Sequence, residues 1–161
     1  MPRGGVKIED NTKEVKKAME AACLRALEII GERAESRAAE NCSPVGANGN
    51  HFPADLISEI RNSLSHSVDA RKKTVTIGTS RNIGAFAELG TGKLYDPPKE
   101  KWIETAVQKG PHSGLDHWWF RDKDGNWEMG LPIPASPYLR PAIADHLDEY
   151  RDIIETELKG E

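Results

Sequence analysis

TKEVKKAMEAACLRALEIIGERAESRAAEN, residues Thr12 to Asn41, decides the fold. Val15, Met19, Ala22, Cys23, Ala26, Leu27, Ile30 and Ala34 recur at spacings of three and four, and Ala38 extends the row. That periodicity predicts one long amphipathic helix. Asn11, with Glu14 three residues on, resembles a capping box in which Asn replaces Ser or Thr. A helix of about thirty residues is about 45 Å long, longer than a small domain needs for its own core. Its apolar row is largely Ala and Cys, so whatever packs against it comes close. Gly31 lies inside the helix and is a place for a kink, at a cost of about 1 kcal/mol relative to Ala.

C-terminal to this helix, Ser43 to Pro53 is turn and loop chemistry throughout. Leu56, Ile57, Ile60 and Leu64 leave a short helix and an extended bridge both open. Ser65 to Asp69, a turn over Ala70 to Lys73, and Thr74 to Thr79 read as a β-hairpin, with Val75 and Ile77 facing inward and the threonines outward. Ile83 to Leu94 is Gly-rich with embedded apolar residues; Gly90 and Gly92 let the chain turn there after a strand. Lys99 to Lys109 places Trp102, Ile103, Ala106 and Val107 on one side of a short helix. A second hairpin follows: His117 to Phe120 and Asn126 to Met129 flank Asp124-Gly125, a strong turn dipeptide. A proline-rich connector from Leu131 to Pro137 leads to a last helix starting near Pro141, with Ile143, Leu147, Tyr150, Ile154 and Leu158 in one row. Pro141 suits the first helical turn and would hold Arg140 extended. The expected class is therefore α+β: a long N-terminal helix on a small, mostly antiparallel sheet, with a C-terminal helix alongside.

The chain has 161 residues, room for one domain spanning 1–161. Net charge is −4, which does not favour electrostatic nucleic-acid binding by the chain as a whole. The charge is uneven, with Arg71, Lys72 and Lys73 in one run and Asp145, Asp148, Glu149, Asp152, Glu155 and Glu157 on the last helix. These read either as a solvated turn and helix face or as complementary surfaces that steer subunits together. Cys23 and Cys42 have no CxxC partner, so neither a disulfide framework nor a zinc site is expected. No apolar run suits a signal peptide or a membrane span; synthesis in the cytoplasm is the expectation.

Candidate chemistry is sparse. Gly92-Lys93 falls short of a phosphate loop, since Ala87 stands where the first glycine belongs and Leu94 where Ser or Thr belongs. Glu88 could serve as a general base beside His112 or His117, but no nucleophile or second carboxylate accompanies it. It is better read as an acceptor for the neighbouring Gly-Thr-Gly backbone or as the partner of an arginine, Arg140 among them. His112, Asp116 and His117 lack a metal-ligand spacing. Trp118, Trp119 and Trp127 could stack on bases, yet packing in the core or at a subunit interface suits them better. No catalytic, cofactor or metal site is expected.

Five features in order carry a resemblance: the long helix ending at Ser43-Pro44-Val45; the Leu-rich segment and hairpin from Leu56 to Thr79; Glu88-Leu89-Gly90-Thr91-Gly92; the aromatic hairpin around Asp124-Gly125-Asn126-Trp127; and Pro137-Tyr138-Leu139-Arg140-Pro141-Ala142 before the last helix. Together they resemble the small neck and tail-completion (head–tail joining) proteins of lambdoid-type siphophages and their prophages, over nearly the whole chain. The loop after Val45 departs from the family's pattern, and Leu94 to Gly114 reads as an inserted segment. The resemblance implies a non-enzymatic virion subunit at the neck or upper tail, without cofactor or metal. Copies would form a ring, hexameric or similar, between head-connector and tail-tube proteins, with the genome DNA passing through unread. A tail terminator or other minor tail ring protein is an alternative. A small nucleic-acid or peptide binding module is the alternative of another class.

Overall fold

A computed structural model describes residues 10–42, 54–96, 99, 114–121 and 124–160. Its elements are α1 (Thr12–Asn41), α2 (Ala54–Asn62), β1 (Leu64–Asp69), β2 (Thr74–Thr79), α3 (Asn82–Leu89), a 3-10 turn (Gly92–Leu94), β3 (Trp118–Arg121), β4 (Trp127–Gly130), α4 (Leu139–Ala144) and α5 (Leu147–Lys159). The class is α+β, with the long helix at its centre. No described helix is long and apolar enough to cross a membrane. The predicted helix over 99–109 and the loop over 43–53 lie almost wholly outside the described residues.

α1 runs unbroken through Gly31. The glycine serves contact rather than a kink: a methyl group there would overlap the imidazole of His66 on β1. Asn11 is the N-cap residue but makes no side-chain cap bond; Asp10 Oδ1 accepts from the Thr12 N–H at 3.0 Å instead. The predicted apolar row is buried only from Ala22 onward, whereas Val15 and Met19 are more than half exposed. Ala34 and Ala38 are wholly buried, and their small side chains let two clusters form along the helix. At its C-terminal end, Ala38 and Cys42 pack with Ile57, Ile60, Leu64, Ala87, Tyr138 and Ala142. One turn and more away, Ile30 and Ala34 pack with Tyr150 of α5, flanked by Val75, Ile77, Ile153 and Ile154. Each fully buried Ile or Leu contributes about 1.5–3 kcal/mol.

The segment left open between helix and extended chain is α2, whose Ile57 and Ile60 turn to the core. β1 and β2 form the predicted hairpin, Leu64 opposite Thr79 through to Asp69 opposite Thr74. Its turn is held by Asp69 Oδ1, which accepts from the Arg71 and Lys72 N–H groups at 2.9 and 3.0 Å. β3 and β4 pair antiparallel as predicted, with Gly125 at the turn taking a φ of 86°. The single small sheet expected from the sequence is instead two separate two-stranded sheets. α1 covers β1–β2, while the chain on either side of β3–β4 is tied to the segment after α3: Lys93 N–H donates to Leu115 O at 3.0 Å and Thr91 N–H to Ile133 O at 2.8 Å.

The single last helix expected near Pro141 is two helices that break at Asp145–His146. Tyr150 Oη donates to the Ala142 carbonyl at 2.6 Å, so a side chain takes up one of the acceptors that a helix end leaves without a partner. α5 lies along α1 through ion pairs: Arg25 with Glu157 at 2.9 Å, and Arg33 and Arg37 with Glu149. Exposed pairs of this kind contribute about 0–1 kcal/mol each. Glu149 and Glu157, two of the acids expected on a free helix face, are thus turned to α1.

Candidate functional site

Glu88 closes α3, a helix and not the strand expected before Gly90. Its carboxylate is buried and points at the start of α4. Oε2 accepts from the Tyr138 N–H at 2.7 Å and the Leu139 N–H at 2.8 Å; Oε1 accepts from the Arg140 N–H at 3.0 Å and Arg140 Nε at 3.2 Å. Three backbone donors at a helix N-terminus are thereby satisfied by a carboxylate fifty or so residues earlier in the chain. An anion there also opposes the positive end of the helix dipole. Arg140 completes the lock, donating through Nη2 to the Glu88 carbonyl at 3.1 Å and through Nη1 to Asp96 Oδ2 at 2.9 Å. Arg140 is helical, not extended: Pro141 falls in the first turn of α4, where its missing N–H needs no acceptor, and Glu88 fixes the turn ahead of it.

The Gly-Thr-Gly backbone does not bind Glu88. It clamps the connector instead: the Thr91 N–H bonds to Ile133 O, the Ile133 N–H returns to Thr91 Oγ1 at 2.9 Å, and the Ser136 N–H reaches Ala87 O at 2.7 Å. Gly90 has φ 73° and ψ −176°, a region open essentially to glycine alone. A Cβ there would stand 2.6 Å from Leu94 O and 2.8 Å from Ala135 N. Gly92, with φ 57°, is similarly crowded by Leu115 O.

The structure therefore brings Glu88, Gly90, Thr91 and Gly92 together with Pro137, Tyr138, Leu139, Arg140 and Pro141. Asp124, Gly125 and Trp127 stay apart on the β3–β4 hairpin. Asp96 is a member the sequence did not announce, since it sits at the edge of the presumed insertion. Gly84 is another: a methyl there would meet Tyr138 Oη at 2.7 Å. Tyr138 lies 1 % exposed with its hydroxyl unbonded among the described residues. Burial, and then the nearby Glu88 and Cys42, push its phenol far above the ordinary range. Burial likewise raises the Cys42 thiol, which keeps it protonated and a poor nucleophile. An ionised carboxylate offers about four acceptor positions, and Glu88 has four donors on its two oxygens, so no position remains for a substrate proton.

Of the other candidates, Asp116 and His117 are exposed before β3, with Asp116 paired to Lys93 at 2.8 Å; His112 lies outside the described residues. Trp119 and Trp127 are exposed rather than packed in a core of the single chain. No family model, no curated protein and no solved structure matches this chain.

Proposed function

We propose that this chain is a structural subunit of a tailed-phage or prophage particle, without catalytic activity, one copy in a ring at the head–tail junction through which the genome passes. The observation that carries the reading is the lock itself. The two segments with the sharpest resemblance to neck and tail-completion proteins, Glu88 to Gly92 and Pro137 to Ala142, meet in one buried assembly and use their polar groups on each other. Motifs built this way position helices rather than transform a substrate. The exposed apolar residues of α1 and of β3–β4 fit a subunit that completes its burial against partners.

The test is deletion of the gene from the phage or prophage that carries it, with electron microscopy of the lysate. DNA-filled heads and unjoined tails are expected, restored to whole particles by the gene in trans. Aberrant tails with the heads intact would move the assignment to a tail terminator. Normally joined particles that fail only at adsorption would sink the neck reading altogether.

A further inference from the structure

Cations gather on the β1–β2 hairpin with little acid among them. Between Arg61 and Arg81 the sequence holds a single carboxylate, Asp69, against Arg71, Lys72 and Lys73. By contrast, Lys13, Lys16 and Lys17 at the start of α1 are interleaved with Asp10, Glu14 and Glu20. The three turn cations are exposed, and among the described residues neither they nor Arg81 makes an ion pair. Asp69 stays ionised, because the Lys72 and Arg71 N–H groups that bond to it hold its carboxyl below the usual range. The turn therefore keeps three positive charges against one negative. It is also fixed in shape, since the Lys73 N–H donates to Asp69 O at 2.9 Å.

The acids that α1 brings to this hairpin, Glu28 and Glu35, meet His66 on its inner side. Its outer side is bare. Ser65 and Ser67 of β1 and Thr74 and Thr76 of β2 are exposed there, with Ser67 opposite Thr76 and Ser65 opposite Gly78. A Cβ added at Gly78 would meet nothing within 4 Å. This face has no aromatic or large apolar side chain, which the core of a protein interface would supply. Hydroxyls and cations are the side chains that contact phosphate oxygens. The acidic helix of a second copy is a poorer match: Glu149 and Glu157 of α5 are turned to α1, while Asp148 and Glu155 pair with Arg151 and Lys159.

We propose that the β1–β2 hairpin lays its basic turn and hydroxyl face against the phosphate backbone of double-stranded DNA, without reading sequence. That this DNA is the passing genome rests on the neck reading; the contact itself belongs to the purified protein. Fluorescence anisotropy of a labelled 20-base-pair duplex follows binding by the full chain up to about 1 mM, at several salt concentrations. Wild type binds weakly, with a dissociation constant of about 0.1 mM at low salt and a log–log salt slope of about −2.7, the value for three phosphates. The triple variant Arg71→Gln, Lys72→Gln, Lys73→Gln loses tenfold or more in affinity and most of the slope. Lys13→Gln, Lys16→Gln, Lys17→Gln changes the net charge equally and binds within about twofold of wild type. Thr76→Glu, which leaves the turn intact, weakens binding about threefold or more. Circular dichroism checks that every variant keeps the fold.

A wild type that leaves the duplex unbound at the highest concentration, two triple variants that weaken binding alike, or a tenfold preference between duplexes of unrelated sequence would each overturn the proposal. So would self-association without DNA that the turn variant abolishes, since the turn would then serve an acidic protein surface. The two readings fail separately. Turn-dependent DNA binding together with normal particles from the gene deletion retires the neck and keeps the contact; no binding together with unjoined heads does the reverse.

Discussion

The Glu88 lock and the β3–β4 hairpin are adjacent along the chain and treat their side chains in opposite ways. In the lock, every acceptor of a buried carboxylate is engaged by a backbone amide or by Arg140, and glycine is required wherever backbones cross. In the hairpin, Trp119, Trp127 and Met129 expose most of their area. Both stretches look like signatures in the sequence. The first holds the chain to itself, and the second turns large apolar side chains outward.

That contrast can be broken most directly at Glu88. Glu88→Ala leaves three N–H groups and a guanidinium facing an empty site, a loss of about 3–5 kcal/mol for a broken buried pair; Glu88→Gln, which keeps one acceptor oxygen, should cost about 1–3 kcal/mol. Urea unfolding measures both, and an unchanged midpoint for the Ala variant would mean that the lock does not hold α4. Gly90→Ala comes next, at about 3 kcal/mol from its backbone conformation, with the clash against Leu94 O and Ala135 N in addition. Should it unfold like wild type, the crossing of α3 and the connector is looser than described.

Tyr138→Phe sharpens the comparison with the opposite sign. Removing a buried hydroxyl that has no partner among the described residues should stabilise the chain by about 1 kcal/mol, seen as a raised melting temperature. A clear loss instead would reveal a hydrogen bond for Oη. A smaller, pH-dependent effect is expected at His66. Its Nδ1 lies 2.6 Å from Glu35 Oε2, and that bond, opposed by burial and aided by Glu28, raises its pKa. A raised folded-state pKa means that the pair's stabilisation is fully present below the unfolded value of about 6.5 and is lost as pH rises through the folded one. The stability gap between wild type and His66→Gln, no more than about 1 kcal/mol, should be widest near pH 5–6 and shrink in alkali; a gap independent of pH would leave only packing against Gly31. Trp119→Ala closes the series with a change in monomer stability under about 0.5 kcal/mol. A larger loss in dilute protein would place that ring in a core and undo the contrast.

Periodicity and turn chemistry made much of the fold legible. The bounds of α1, the Asp69–Thr74 turn and the Asp124-Gly125 hairpin follow from side-chain spacing and from residues suited to particular backbone angles, which are local properties. Arg140 as a partner for Glu88 could be anticipated because a carboxylate among apolar neighbours demands a cation or several donors. The helical state of Ile83 to Leu89 was hidden, since its glycine, Gly84, and its short length leave no clear period. So was the break at Asp145–His146, where the apolar row runs on without interruption and only the bond from Tyr150 to Ala142 marks the end of α4.

What the sequence by itself determined is therefore the α+β class, the order of elements and the long helix, because hydrophobic spacing and turn residues act over a few positions. Only the tertiary structure decided that the backbone N–H groups of Tyr138, Leu139 and Arg140 meet Glu88, that Asp96 joins them, that the two hairpins form separate sheets, and that Val15 and Met19 lie outside the core. Those outcomes depend on which surfaces reach one another across fifty residues and more. A single side chain's donors and acceptors do not encode that distance; the packing of α1 against everything else sets it.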